Sequence, residues 1–426
     1  MCSVKQRADL TYKHNVTRGR HGWLRLTPAY SVRLVSQLLD GVQGECRILD
    51  PFSGTGTTLL TAMEHGHDTT GIDLNPFLIW FARAKICRYS GRDVGRCRVA
   101  EPAVVDAVES EAVRPVGPPA LSNIERWWHP DVISFLCLLR SAIDANARAS
   151  SKARDLLDVA FWRTLIQLSN AAFNHQSMSF QGDRAARHDR ETCLAAFREN
   201  VHVVLSSLDP QPLGKGHVAL GDARRIEDTI EGRFNLVITS PPYANRMSYI
   251  RELRPYMYWL GYLGDASEAG ELDWRAVGGT WGVATSRLTE WTPSGETYAP
   301  EALAAVVAAI ARSGARNAGL MATYVAKYFH DMWHHFVSVR RVMADGGKVV
   351  YIIGNSTFYG ILVPVERFYA RMLGEAGFAN VETYVLRKRN SKKRLYEFAV
   401  EADVDWGCGF PSLSARSASA RQTYLF

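Results

Sequence analysis

The stretch Arg47-Ile48-Leu49-Asp50-Pro51-Phe52-Ser53-Gly54-Thr55-Gly56-Thr57-Thr58-Leu59-Leu60 decides the architecture. A short apolar run predicts a strand over 47–50, a glycine turn follows, and Thr57 to Glu64 reads as a helix. A second strand, about Thr69 to Ile72, then ends in an acid, Asp73. Strand, glycine turn, helix, strand is a βαβ unit, the opening of a doubly wound sheet. Glycine lets the backbone turn tightly and approach a ligand without Cβ clashes. The helix start beyond it presents unpaired N–H groups. The motif is not a P-loop, because no lysine follows Gly56, and Leu59 stands where a dinucleotide fingerprint needs its third glycine.

Working outward, Asp73 lies at the distance of a ribose-binding carboxylate in nucleoside-binding βαβ units. The βα pattern resumes with Val218-Ala219-Leu220 before Gly221-Asp222, placing a second acid on the same edge. Two acids, a glycine turn and no phosphate-binding lysine suit a nucleoside with little phosphate. S-adenosylmethionine fits that description better than ATP or NAD. The cofactor candidates are Asp50, Phe52, Gly54, Gly56, Thr57, Asp73 and Asp222.

The apolar strand Phe234-Asn235-Leu236-Val237-Ile238 runs into Thr239-Ser240-Pro241-Pro242-Tyr243. Two prolines fix φ and restrict the residue before them, so the loop is stiff and its carbonyls keep set directions. Such a loop can accept hydrogen bonds from a flat amino group while the aromatic ring stacks on the same base. A plain rigid turn is the structural alternative for a bare Pro-Pro-Tyr. Its place after a strand of the same sheet favours function, which makes Ser240, Pro241, Pro242 and Tyr243 the catalytic candidates.

The chain has 426 residues, is 47% hydrophobic and carries a net charge of +7, which excludes a disordered or collagen-like chain and fits a polyanionic partner. No apolar run reaches membrane-spanning length and the N-terminus lacks a signal-peptide core, so a soluble cytoplasmic protein is expected. Seven scattered cysteines without a CxxC pair argue for reduced thiols and against a zinc site.

Together the loops resemble the amino-methyltransferase family of DNA, with its D-P-F-x-G-x-G-T-T cofactor loop and [DNS]-P-P-[YFW] catalytic loop. Asp50 through Thr58 match the first and Ser240 through Tyr243 the second. Gly71-Ile72-Asp73-Leu74-Asn75-Pro76 resembles the family's acidic second motif, and His21 to Leu39, with Pro28, its N-terminal flanking segment. The likeness spans about 20–90, 215–260 and, more loosely, 335–400, with the cofactor loop first, unlike permuted members. It implies a Rossmann-like, mostly parallel class I methyltransferase fold. It also implies methyl transfer from S-adenosylmethionine to the exocyclic nitrogen of a base flipped out of double-stranded DNA. Serine at the loop's first position leans toward cytosine N4, with adenine N6 as the alternative. A restriction–modification setting with a cognate endonuclease or other defence subunit is implied, with no metal and no membrane. An RNA base methyltransferase and an inactive DNA-binding subunit are the rivals. Cytosine-C5 chemistry is rejected, because no Pro-Cys dipeptide occurs.

The expected organisation is a cofactor half over 1–97, a helical insertion over 98–215 and a catalytic half over 216–263. An accessory segment over 264–330, closing strands over 331–405 and a tail over 406–426 complete it. Within 264–299 a loop or small module is expected, and Pro300-Glu301 opens a long helical run. Arg246, Arg251 and Arg254, interleaved with Tyr249, Tyr256, Tyr258 and Trp259, suit phosphate contact and stacking, or else a core-facing helix. Arg387-Lys388-Arg389-Asn390-Ser391-Lys392-Lys393-Arg394 reads as a hairpin tip clamping the DNA backbone. Asn170 and Asn174 to Ser177 form a polar cluster at a helix end, and Arg224 and Arg225 flank Asp222. His330, His334 and His335 share a helical run that reads as a partly buried face rather than a metal site.

Overall fold

Seven strands form one sheet: β1 (Arg47–Asp50), β2 (Asp68–Asp73), β3 (Gly216–Leu220), β4 (Phe234–Thr239), β5 (Met343–Gly354), β6 (Ala379–Lys388) and β7 (Tyr396–Asp403). The computed structural model describes residues 4–25, 29–148, 151–172, 179–280, 282–389 and 394–405. The spatial order is β6-β7-β5-β4-β1-β2-β3. β1 pairs in parallel with β2 and β4, β2 with β3, and β4 with β5, while β7 runs antiparallel between β5 and β6. The fold is therefore the mixed α/β, mostly parallel sheet expected.

The chain proceeds from β1 outward through β2 to β3, then returns to β1's other side with β4. That reversal leaves a crevice beyond the carboxyl ends of β1 and β4, where ligands of open α/β sheets bind. Both glycine and proline loops spring from those two ends.

Alternation along the strands covers both sheet faces. Leu49, Val237, Val349 and Tyr351 pack toward the helices Ala318–Val342 and Val365–Glu375. Ile48, Leu236, Ile238, Val350 and Ile352 pack toward the helix Val32–Leu39. Full burial of such side chains is worth roughly 1.5–3 kcal/mol each, enough to hold the register of the central strands.

Helices Gly91–Glu109, Pro130–Asn146, Lys152–Gln167 and Arg190–Ser206 fill the stretch expected to be helical. They share one core with the helices Pro76–Ile86 and Tyr249–Trp259. Phe77 stacks on Tyr256 at 5.6 Å, Trp162 meets Tyr256 edge-on at 5.5 Å, and Trp128 meets Trp259 edge-on at 5.7 Å. Tyr256, Tyr258 and Trp259 are thus buried, which overturns their reading as stacking residues for nucleic acid. They belong to a core-facing helix, the other reading the sequence offered.

The stretch 264–299 holds two helices, Ala266–Arg275 and Val283–Arg287. The run opened by Pro300 divides into Glu301–Ala311 and Ala318–Val342, the second continuing through the expected boundary at 330. The tail beyond 405 lies outside the described residues, as do Pro28, Asn174, His175, Gln176, Ser177, Lys392 and Lys393.

Candidate active site

One cleft of about 130 Å³ opens at the sheet's crevice. Its wall includes Phe52, Gly54, Thr55 and Thr57 from the glycine loop, Asp73 from the end of β2, and Gly221 and Asp222 beyond β3. Ser240 and Pro242 from the proline loop line the same cleft, with Tyr30, Tyr249 and Val277.

The glycine loop is built by left-handed backbone. Gly54 has φ +50° and Gly56 φ +70°, and a Cβ on Gly56 would come within 3.2 Å of the Ala82 Cβ. The loop is held from behind by Lys85, a fully buried side chain whose Nζ donates to the Thr55 carbonyl at 3.0 Å. Burial depresses its ammonium to about 7, against the attraction of Glu64.

Asp73 ties the loop to the next helix. Its Oδ2 accepts from Gly54 N at 2.9 Å and its Oδ1 from Asn75 N at 2.9 Å. A carboxylate offers about four acceptor sites, so two remain for hydroxyl donors in the cleft. Burial pushes its carboxyl up to about 6, against its hydrogen bonds from the backbone.

Asp50 sits behind the wall and braces the two loops. Its Oδ1 accepts from Phe52 N at 3.2 Å and from Thr239 Oγ1 at 2.6 Å, joining β1's end to β4's. Burial raises it to about 6, with Thr239 and Thr58 pulling the other way. Thr58 in turn bonds the Ile238 carbonyl at 3.2 Å and meets the Tyr30 hydroxyl.

Asp222 also lines the cleft, but its oxygens are engaged by Arg224. Nε donates to Oδ1 at 2.9 Å, Nη2 to Oδ2 at 2.7 Å, and the Arg224 backbone N to Oδ1 at 3.0 Å. Burial opposes its ionisation, yet the Arg224 bonds and charge hold its carboxyl below the ordinary range. Arg224 reaches on to Asp331 at 2.9 Å, so it is an internal strut rather than a phosphate ligand. Arg225 stays exposed.

The proline loop is fixed at several points. The Pro242 carbonyl accepts from Tyr328 Oη at 2.8 Å, and that hydroxyl also meets Tyr369 Oη at 2.7 Å. Tyr243 donates its hydroxyl to Glu397 Oε1 at 2.9 Å. Arg387 grips the same carboxylate twice, Nε to Oε2 at 2.7 Å and Nη2 to Oε1 at 2.9 Å. The Arg389 guanidinium lies over the Tyr243 ring, 4.9 Å from its centroid, with Nη1 donating to the Asn355 carbonyl at 2.9 Å. Burial and the Glu397 charge lift the Tyr243 phenol well above its ordinary value, so it remains a neutral donor.

Two residues read as a DNA clamp are therefore turned inward. Arg387 ends in a buried ion pair and Arg389 backs Tyr243, because β6 continues to Lys388 and carries them beside the loop. Lys388 ends β6, and Arg246 and Arg251 are exposed beyond the proline loop. Glu397, Tyr328 and Tyr30 were not singled out from the sequence. An acid between Tyr396 and Phe398 in an apolar strand was the available signal for Glu397.

The other clusters have structural uses. His335 is buried between the Ala223 carbonyl and the Tyr351 hydroxyl at 2.8 and 2.9 Å, and burial lowers it to about 4. His330 and His334 meet ring to ring at 4.6 Å. Asn170 bridges the Arg126 and Gly182 carbonyls at 3.2 and 2.8 Å. Among the described residues no three His, Cys, Asp or Glu side chains gather as metal ligands, and no helix is long and apolar enough to cross a membrane.

The chain has counterparts among known proteins. The type II methyltransferase M.BsoBI of Geobacillus stearothermophilus is 23% identical over 91% of this chain and 85% of its own. The chain is similar to type II methyltransferases over nearly its whole length. M.AvaI of Nostoc sp. is 21% identical over 91% of this chain and 86% of its own. M.MvaI of Kocuria varians is 20% identical over 75% and 72%. Among solved structures, TrmN from Thermus thermophilus superposes with a TM-score of 0.31 at 10% identity, covering 93% of this chain and 52% of that one. No protein-family model matches the chain.

Proposed function

We propose that the protein is an S-adenosylmethionine-dependent DNA methyltransferase acting on an exocyclic amino group, with cytosine N4 the favoured target. The observation that carries this reading is the single cleft walled by both the glycine loop and the Ser240–Pro242 loop. The likeness to type II methyltransferases along 91% of the chain supports it independently.

The residues present fit that cofactor. Asp73 keeps acceptor sites for ribose hydroxyls, and Phe52, Leu74, Leu78 and Val277 supply apolar walls for a base. Held by Arg224, Asp222 serves as a fixed negative charge at the rim. When bound, S-adenosylmethionine supplies a methyl group on a cationic sulfur that leaves as a neutral thioether.

The chain's own residues then have separable tasks. Ser240 Oγ and the Pro241 carbonyl accept hydrogen bonds from the amino group, turning its lone pair toward the cofactor side of the cleft. Tyr243 stacks on the extruded base, its ring fixed at the hydroxyl by Glu397 and backed by Arg389. Positioning of this kind carries the rate without a covalent intermediate. Arg246, Arg251 and Lys388 face phosphate, with Lys392 and Lys393 assigned the same task from the sequence. A cognate endonuclease completes the reading.

The test is expression in a host lacking DNA methylation, followed by mass spectrometry of its nucleosides, with Ser240→Ala and Tyr243→Ala beside the parent. N4-methylcytosine from the parent and none from the variants is expected. N6-methyladenine would overturn the choice of base, and no modified nucleoside despite cofactor binding would overturn the DNA reading.

A further inference from the structure

A small hairpin, Ser356–Phe358 with Ile361–Val363, stands at the carboxyl end of β5, with Asn355 between it and Gly354. β5 is the immediate neighbour of β4, whose end bears the proline loop. Phe358 pairs with Ile361, so the turn is the dipeptide Tyr359-Gly360. Both residues have positive φ, +52° and +85°. This is the two-residue turn that favours Asn-Gly, because a bulky side chain is strained there. An aromatic residue held in that conformation is the kind of outlier that gathers at functional sites.

Tyr359 is also 44% exposed and the one aromatic among the exposed large apolar side chains of the described residues. Its hairpin is rooted firmly: Val363 is buried and the Phe358 ring lies 5.8 Å from that of Tyr324. Tyr359 rims a second cavity of about 330 Å³ whose other walls include Asn245 and Arg246, just past the proline loop, and Arg389. An exposed ring on a rigid finger thus stands beside the catalytic loop, with two arginines in the same cavity.

Pulling a base out of a duplex leaves a gap that the stack closes unless something fills it. Proteins that distort DNA do so with apolar or aromatic side chains set between base steps. Resting on the DNA-methylation reading above, we propose that Tyr359 is a positioning residue that enters the base stack beside the target and holds the base extruded. Arg246, exposed in the same cavity, then meets the adjoining phosphate.

The test uses a duplex carrying the site mapped in methylated host DNA, and the same duplex with an abasic residue opposite the target, where the base is already unpaired. Tyr359→Asn suits the turn and should melt at or above the parent's midpoint. On the paired duplex it is expected to lose about tenfold or more in kcat. On the abasic duplex it should return to within about threefold of the parent. Tyr359→Phe should match the parent on both. Full activity of Tyr359→Asn on paired DNA, or an equal loss on both duplexes, would overturn the proposal. A parent that methylates neither duplex would instead overturn the reading of function on which it rests.

Discussion

Replacing Asp73 by asparagine tests how the cleft holds its ligand. The carboxylate now accepts from Gly54 N and Asn75 N, one on each oxygen. An asparagine must turn its NH₂ toward one of these N–H groups, leaving a donor unpaired and removing charge from the acceptor offered to ribose. A lost hydrogen bond to a charged group is worth roughly 1.5–3 kcal/mol, so the Kd for S-adenosylmethionine at neutral pH should rise by about 10- to 100-fold.

The pH profile sharpens this test. Burial raises the Asp73 carboxyl to about 6 in the folded protein, and under the proposed function the ligand needs its ionised form. Ionised fractions of about one eleventh at pH 5 and ten elevenths at pH 7 make parent binding about tenfold weaker at pH 5. Asp73→Asn should lose that dependence, and any slope left belongs to Asp50, also at about 6. Calorimetric titration from pH 5 to 8, with circular dichroism as the fold control, measures both. Parent affinity that stays flat over this range, or a variant within about threefold of the parent at pH 7, would refute the reasoning.

Other expectations concern the supports of the two loops. Gly354→Ala would place a Cβ 2.3 Å from Arg389 Nη1 and 3.1 Å from Tyr243 Cε2. The arginine can swing away, so the protein should fold, bind cofactor as the parent does and show a lower kcat. Glu397→Gln keeps an acceptor for Tyr243 but uncouples a buried ion pair, and a destabilisation of about 1–3 kcal/mol is expected by denaturant titration. Lys85→Met should show its effect in pH dependence. The parent's lysine falls from 10.5 unfolded to about 7 folded, so the unfolded chain binds the extra proton between those values. The parent's stability relative to the variant should therefore rise from pH 7 to 10 and stay level below 7; a difference that does not change with pH would contradict the burial argument.

What the sequence reveals is what local chemistry determines. The strand 47–50, its glycine turn and the helix from Thr57 follow from apolar runs and residues that only a turn tolerates. The paired prolines mark the second loop for the same reason. The misread features depend on partners distant in sequence. Arg387 and Arg389 look like a surface clamp until β6 and β7 are registered beside the loop, and Arg224 finds Asp331 107 residues away. Tyr256 and Trp259 could face water or core equally well by periodicity, and only the neighbouring helices decide. Residues 264–299 lack an apolar stripe clear enough to mark two short helices. Tyr359 escapes notice because its distinction is a backbone angle.

The bond from Tyr243 to Glu397 spans 154 residues. During synthesis the glycine loop, the acids of β2 and β3 and the proline loop all emerge long before β7. A nascent chain thus carries every residue of the cofactor wall before the residue that anchors Tyr243 has been made. Activity should therefore require the closing hairpin, although the hairpin contributes no residue to the cofactor wall.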